Sequence, residues 1–275
     1  MPARFVDGSL LLVLAHPGHE LRVHGLLGRL RPTVLVLTDG SGRAGPSRIG
    51  RTLSIVEGAG AQPGPVFGRM RDAALYATLL SGSHEPFLRL AAEIASAIEA
   101  SGAAAVAADA AEGFDPAHDV CRLLVNAAVA RRRAAGQAVA SYEFLVDGPP
   151  APGAAGEPDA VSLFLDDAEL TRKLADARAY EELSADVEST IDRWGVEAFR
   201  TETLLPVRYG FDLSGRIGSP PFYETDGERR VAEGVYREVL RFRRHVEPLA
   251  HALRADAEEA ALAASRVPDG LEPLG

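Results

Sequence analysis

The chain has 275 residues, 47% hydrophobic and 25% charged, and its 39 acidic side chains outnumber 29 basic ones for a net charge of −10. That length suits one large globular domain or two small ones, and the acidic balance offers no basic excess for nucleic acid or an anionic membrane. A single cysteine, Cys121, excludes an internal disulfide framework and a cysteine-based zinc cluster.

"SLLLVLA" (9–15) is a short apolar run bounded by turn signals, which predicts a buried strand. It is too short to span a bilayer and lacks a basic start, so a cytoplasmic protein is expected. "ELRVHGLLGRL" (20–30) has helical spacing, with Leu26, Leu27 and Leu30 on one face. A second buried strand, "TVLVLTDG" (33–40), precedes a helix over 47–61 and a short third strand, "GPVFG" (64–68). An amphipathic helix over 85–102 stops at Gly102, a fourth strand runs over 103–109, and a helix over 116–136 carries Pro116 in its first turn. Cys121 sits in an apolar part of that helix and reads as a buried, inert thiol. A strand over 138–146, a Pro/Gly-rich surface loop over 147–159, a strand over 160–166 and a helical stretch follow. Residues 208–227 read as irregular. From Glu228 a long helix is expected, with Val235, Val239, Phe242, Val246, Leu249 and Leu253 as a seam and a kink at Pro248. So short a seam predicts packing on the parent domain in place of a coiled coil. Strands alternating with helices predict an α/β fold, Rossmann-like, with a mostly parallel sheet covered on both faces and a C-terminal helical extension.

Such sheets bind ligands beyond the carboxyl ends of their strands. His16 and His19 follow the first strand, Asp39 the second, Arg69 and Asp72 the third, and Asp109, Asp115 and His118 the fourth. His16 and His19 form a His-x-x-His, able to aim two imidazoles at one ion, and His118 offers a third. Three protein ligands with an open position suit a catalytic zinc site, and three histidines also suit iron. His24 lies about 140° around the helix from His19 at about 100° per residue, so it is expected to face elsewhere. His84, His245 and His251 have surface-like contexts and are left out of the site.

"LAHPGHE" resembles the "AHPDDE" signature of the LmbE/PIG-L family of zinc-dependent deacetylases, which act on N-acetylglucosaminyl groups and related amides. "VLVLTDGSG", "VEGAGAQPGPVFGRMRDAALY", "FDPAHDVCRLLVNAAV", "KLADARAYEEL" and "EAFRTETL" are similar to later family segments in the same order, over roughly residues 9–206. The resemblance implies metal ligands at His16, His19 (an Asp in the family) and His118, and a substrate contact at Asp72, to which Arg69 is added. It implies an α/β metal-binding domain over 1–210, with 211–275 as a loop and long helix packed on it. The family's general-base Asp falls on Gly18, the first His of its "HPDH" on Asp115, and an Arg on Ser54. Glycine accepts no proton, so Asp115 is the candidate catalytic base, with Glu20, Asp109, Glu112 and Asp119 as nearby alternatives. Each also has a bland reading, as an N-cap or a partner holding a ligating imidazole; for Asp115 the two weigh equally.

The expected protein is thus a metal-dependent hydrolase that removes an N-acyl group from a sugar-like or other small molecule. The alternative is a family member without the base, doing non-hydrolytic metal chemistry or only binding a ligand. "GSGRAG" (40–45) is a literal G-x-G-x-x-G, so NAD(P) binding is a third reading. It is the weakest, because Asp39 would face a pyrophosphate and the motif normally occupies the first βα turn. The oligomeric state is open, a homo-oligomer included.

Overall fold

Leu10–Leu14 is buried at every position because both faces of its strand, β1, meet helices. The computed structural model describes residues 10–150 and 157–265. In chain order a 3-10 turn, His19–Val23, leads into α1 (His24–Leu30), β2 (Thr33–Thr38), α2 (Ile49–Gly58), β3 (Gln62–Met70), α3 (Asp72–Leu80) and α4 (Glu85–Ser101). Then come β4 (Ala105–Asp109), α5 (Pro116–Ala134), β5 (Ala140–Phe144), β6 (Val161–Phe164), α6 (Asp167–Ala179), α7 (Ser184–Trp194), β7 (Thr201–Pro206), α8 (Phe222–Ala232) and α9 (Glu247–Ser265).

The strands form one sheet in the order β3-β2-β1-β4-β5-β7-β6. All pairings from β3 to β5 are parallel, and β7 runs antiparallel to both neighbours. Alternate residues of β1 feed two cores. Leu11 and Val13 join Phe87, Ile94, Leu123 and Leu124 beneath α4 and α5. Leu10, Leu12 and Leu14 join Leu26, Leu27, Leu30 and Val56 beneath α1 and α2. The fold is therefore α/β, Rossmann-like, with helices on both faces and a helix at the carboxyl end. Among the described residues, no helix is long and apolar enough to cross a membrane.

Several elements differ from the sequence reading. The segment 20–30 begins as a 3-10 turn before α1. The third strand is longer than 64–68, with register irregularities against β2. Residues 72–80 and 201–206 form α3 and β7, neither of which stands out by periodicity. The helix expected from Glu228 is two helices: α8 ends at Ala232, Gly234 takes φ +71°, and helical structure resumes as a π turn over Phe242–Val246. Val235 and Val239 therefore leave the proposed seam, and Pro248 follows on the π turn, with no N–H to give to that turn's carbonyls. Val246, Leu249 and Leu253 are buried in the α4/α5 core. Of the Pro/Gly-rich loop over 147–159, residues 151–156 lie outside the described residues.

One carboxylate ties β7 into the fold. Glu202, fully buried, accepts hydrogen bonds from the Gly25 and Leu26 N–H groups at the start of α1, both at 2.8 Å, and from Lys173 Nζ of α6 at 2.9 Å. A buried negative charge at a helix N-terminus satisfies donors that have no intrahelical acceptor.

Candidate metal centre

The sheet reverses its winding at β1, with β2 on one side and β4 on the other, which opens a crevice beyond the carboxyl ends of β1 and β4. Asp109, the last residue of β4, closes its floor by accepting the Ala15 N–H at 2.8 Å. Into this crevice His16 and His19 project from the turn after β1, and His118 from the first turn of α5. Ring centroids lie 5.3 Å apart for His16–His19, 5.5 Å for His16–His118 and 4.7 Å for His19–His118.

Each ring turns Nδ1 to a carboxylate. His16 Nδ1 lies 2.7 Å from Thr38 Oγ1 and 3.0 Å from Asp72 Oδ1. The Thr38 hydroxyl hydrogen goes to the Ala15 carbonyl (3.0 Å), and an ionised Asp72 only accepts. The hydrogen of a neutral His16 is thus on Nδ1, which leaves the Nε2 lone pair free. His19 Nδ1 lies 2.8 Å from Asp109 Oδ2. His118 Nδ1 faces Asp147 Oδ2 at 3.4 Å, and both atoms are buried without a hydrogen bond. Carboxylates set behind imidazoles are the usual means of fixing the tautomer and orientation of metal-binding histidines.

The donors fit a cation. Among the described residues, ligand atoms within 4.8 Å of one another group His16 with Asp115 and His118, His19 with Asp109 and His118, and Glu112 with His118 and Asp147, so His118 is common to all three sets and no set holds His16 and His19 together. Imidazoles sharing one zinc at about 2.0–2.1 Å would stand with centroids about 5 Å apart, close to the spacing found. Charges respond accordingly. Burial works against a proton on His16, yet Asp115 and Asp72 outweigh it and push the group up to about 10. Burial lowers His19, the Asp109 carboxylate only partly opposing it. Burial also opposes a charge on His118, but Asp147, Asp115 and Asp109 raise it. The cluster, buried among four carboxylates, favours a positive charge.

Asp115 is the N-cap of α5, accepting the Ala117 N–H at 2.7 Å, and its Oδ1 lies 3.8 Å from His16 Nε2. The Tyr76 hydroxyl of α3 lies 2.8 Å from both of its oxygens. Burial alone would raise the Asp115 carboxyl, but His16 and His118 hold it well below the usual carboxylate range. Asp72 is buried, with Oδ1 at His16 and Oδ2 accepting the Gly42 N–H. Arg69 pairs with Glu93 of α4 on the exposed surface, and none of its contacts reaches the cluster.

The other candidates have structural partners. Glu112 accepts the N–H groups of Val146, Asp147 and Gly148, fixing the loop that carries Asp147. Asp119 accepts the Gly113 N–H. Buried Glu20 accepts the Gly18 N–H and the Thr52 hydroxyl, both at 2.8 Å, and burial pushes its carboxyl up to about 7. His24 binds Asp176 of α6 at 2.7 Å. His245, expected at the surface, is buried in the π turn. Gly42 and Ser41 belong to the "GSGRAG" turn, which folds on Asp39 and Asp72. A cavity of about 540 Å³ lies elsewhere, between α1, α2 and α6.

Two residues of the cluster escaped the sequence reading. Tyr76 stands four residues after Asp72 and so on the same helical face, a signal available once α3 is recognised. Asp147 follows the fifth strand at the same sheet edge, where the rule that gathered the other candidates also points.

No protein-family model and no curated protein sequence matches the chain. Among solved structures, the zinc-inhibited form of teicoplanin deacetylase Orf2 is similar, with a TM-score of 0.50 and 15% identity over 72% of this chain and 97% of that one. A deacetylase–bog complex from the biosynthesis pathway of teicoplanin has a TM-score of 0.50 and 14% identity, covering 72% of this chain and 98% of the other. At such identity the likeness is one of fold.

Proposed function

We propose that this chain is a metal-dependent hydrolase of the deacetylase type, acting on an N-acyl group of a small molecule, with His16, His19 and His118 as ligands. The observation that carries the reading is three imidazoles about 5 Å apart, each with Nδ1 turned to a carboxylate. The deacetylase names of the structures sharing the fold support it. A bound zinc would supply a Lewis acid for the scissile carbonyl and lower the pKa of water to about 7.

The chain's own residues do the rest. Asp72, Asp109 and Asp147 hold the rings, so that Asp72 acts through His16 and not on the substrate. Asp115 lies beside His16, with Oδ1 3.8 Å from His16 Nε2, and is assigned the proton of the attacking water. Tyr76 fixes the orientation of that carboxylate. Iron in place of zinc is compatible with the same donors.

A second reading rests on one observation: the Asp115 oxygens already accept from Ala117 and Tyr76. That favours a protein that binds metal and ligand without hydrolysis.

The test measures metal content of the purified protein, then acetate released from N-acetylated sugars as zinc or iron is titrated from below one equivalent. The hydrolase reading expects about one ion per chain, lost in His118→Ala, and a fall in rate of about 10²–10⁴ in Asp115→Asn. Metal with no turnover selects the second reading. Protein that stays empty sinks both, and full activity in Asp115→Asn removes that residue as the base.

A further inference from the structure

Arg122 is fully buried although it carries a charge, and it stands one helical turn after His118 on α5. Its fork reaches the carboxyl ends of two strands at once. Nε donates to the Asp109 carbonyl at 3.1 Å, and Nη2 donates to the Ala108 carbonyl at 2.8 Å and the Tyr142 carbonyl at 2.9 Å. Nη1 lies 3.5 Å from Ser141 Oγ. The last two residues of β4 are thus gripped and tied to β5. Arginine suits the task because its donors fan out in one plane and span neighbouring strands about 4.8 Å apart. An ammonium radiates three donors from a single atom.

Glu143 supplies the counter-charge, with Oε2 3.9 Å from Nε, and is itself held by the Tyr209 hydroxyl and by Arg216. Replacing a buried ion pair by apolar residues of similar size is often neutral or stabilising, so the fold alone does not call for this one. Its place gives it another use. Arg122 holds the backbone of Asp109, while the side chain of Asp109 holds the Ala15 N–H and His19 Nδ1, both at 2.8 Å. The helix that carries Arg122 also carries His118. One guanidinium therefore joins the helix bearing one imidazole to the strand end that orients another.

We propose that Arg122 is a positioning residue of the histidine cluster, locking α5 against the end of β4 and so fixing His118 relative to His19. The inference rests on the metal-centre reading for what the rings hold, and on the hydrogen bonds for what Arg122 does.

The test is Arg122→Lys, which keeps the charge and loses the fork, set beside Leu253→Ala, a core change outside the clamp. Zinc affinity in chelator competition is expected to fall by about 10–100-fold in Arg122→Lys, and the visible bands of the cobalt(II)-loaded protein to shift. Leu253→Ala is expected to match the wild type in both. In metal-free protein the Ala15 amide should exchange its hydrogen faster, relative to that of Leu12, in Arg122→Lys and not in Leu253→Ala. If Arg122→Lys does not fold, Arg122→Met, which needs no counter-charge, takes its place in all three measurements. Unchanged zinc affinity in the folded variant, an unchanged cobalt spectrum, or an equal loss in Leu253→Ala overturns the clamp and leaves the metal reading standing. Wild-type protein that takes up neither ion sinks the metal reading instead. The Ala15 exchange then decides: faster exchange in the variant keeps the clamp, and unchanged exchange overturns it.

Discussion

Asp109 touches both the backbone after β1 and the imidazole of His19, so it links the end of the sheet to the cluster. Replacing it by Asn keeps the shape and removes the charge behind the ring. Metal affinity should then fall by about 10–100-fold in chelator competition; an unchanged affinity would show that His19 does not depend on it. Gly18, where the family signature has its base, is at φ +104°. A Cβ there would also stand 2.3 Å from Leu183 Cδ1, the movable end of a side chain. Restoring the family residue with Gly18→Asp is therefore expected to lower stability by about 1–2 kcal/mol through the left-handed backbone. Gly18→Ala should lose the same amount in thermal unfolding. If Ala is tolerated and Asp is not, the carboxylate and not the backbone is at fault. Those residues were legible unevenly. The histidines announced themselves by type and spacing, whereas the need for glycine at 18 is a property of φ that no spacing reveals.

At the scale of elements, parallel strands were the readable part, because burial on both faces leaves continuous apolar runs. β7 was not readable: it is antiparallel, its ends are partly exposed, and its key residue is a glutamate. α3 was missed for the opposite reason, since "DAALYATLL" is apolar around most of its circumference and shows no clear polar face. The Lys173–Glu202 pair joins α6, β7 and α1 with almost no solvent contact. Lys173→Met would leave the Glu202 charge buried and unmatched by a cation, a change that typically destabilises by about 3–5 kcal/mol. At about 2–4 °C per kcal/mol for a chain of this size, the melting temperature should drop by roughly 10 °C. A drop of only a degree or two would mean that the two N–H donors of α1 suffice to hold the carboxylate.

For the whole molecule, α9 acts as a cover on the face of the sheet formed by α4 and α5. Leu253 is fully buried there, so Leu253→Ala is expected to destabilise by about 2–5 kcal/mol in denaturant unfolding without changing metal content. A loss below 1 kcal/mol would show that the helix packs loosely. The break at 233–241 was foreshadowed by Gly234, but the apolar spacing ran through it because Phe242 and Val246 stay buried beyond the break. Lys173 has one more consequence. It is the chain's sole lysine and is sealed inside the protein, so every other fixed cation on its side chains is a guanidinium. Acylating reagents that seek ε-amines will find none while the molecule stays closed. Their uptake at Lys173 becomes a clock that counts how often the interior opens.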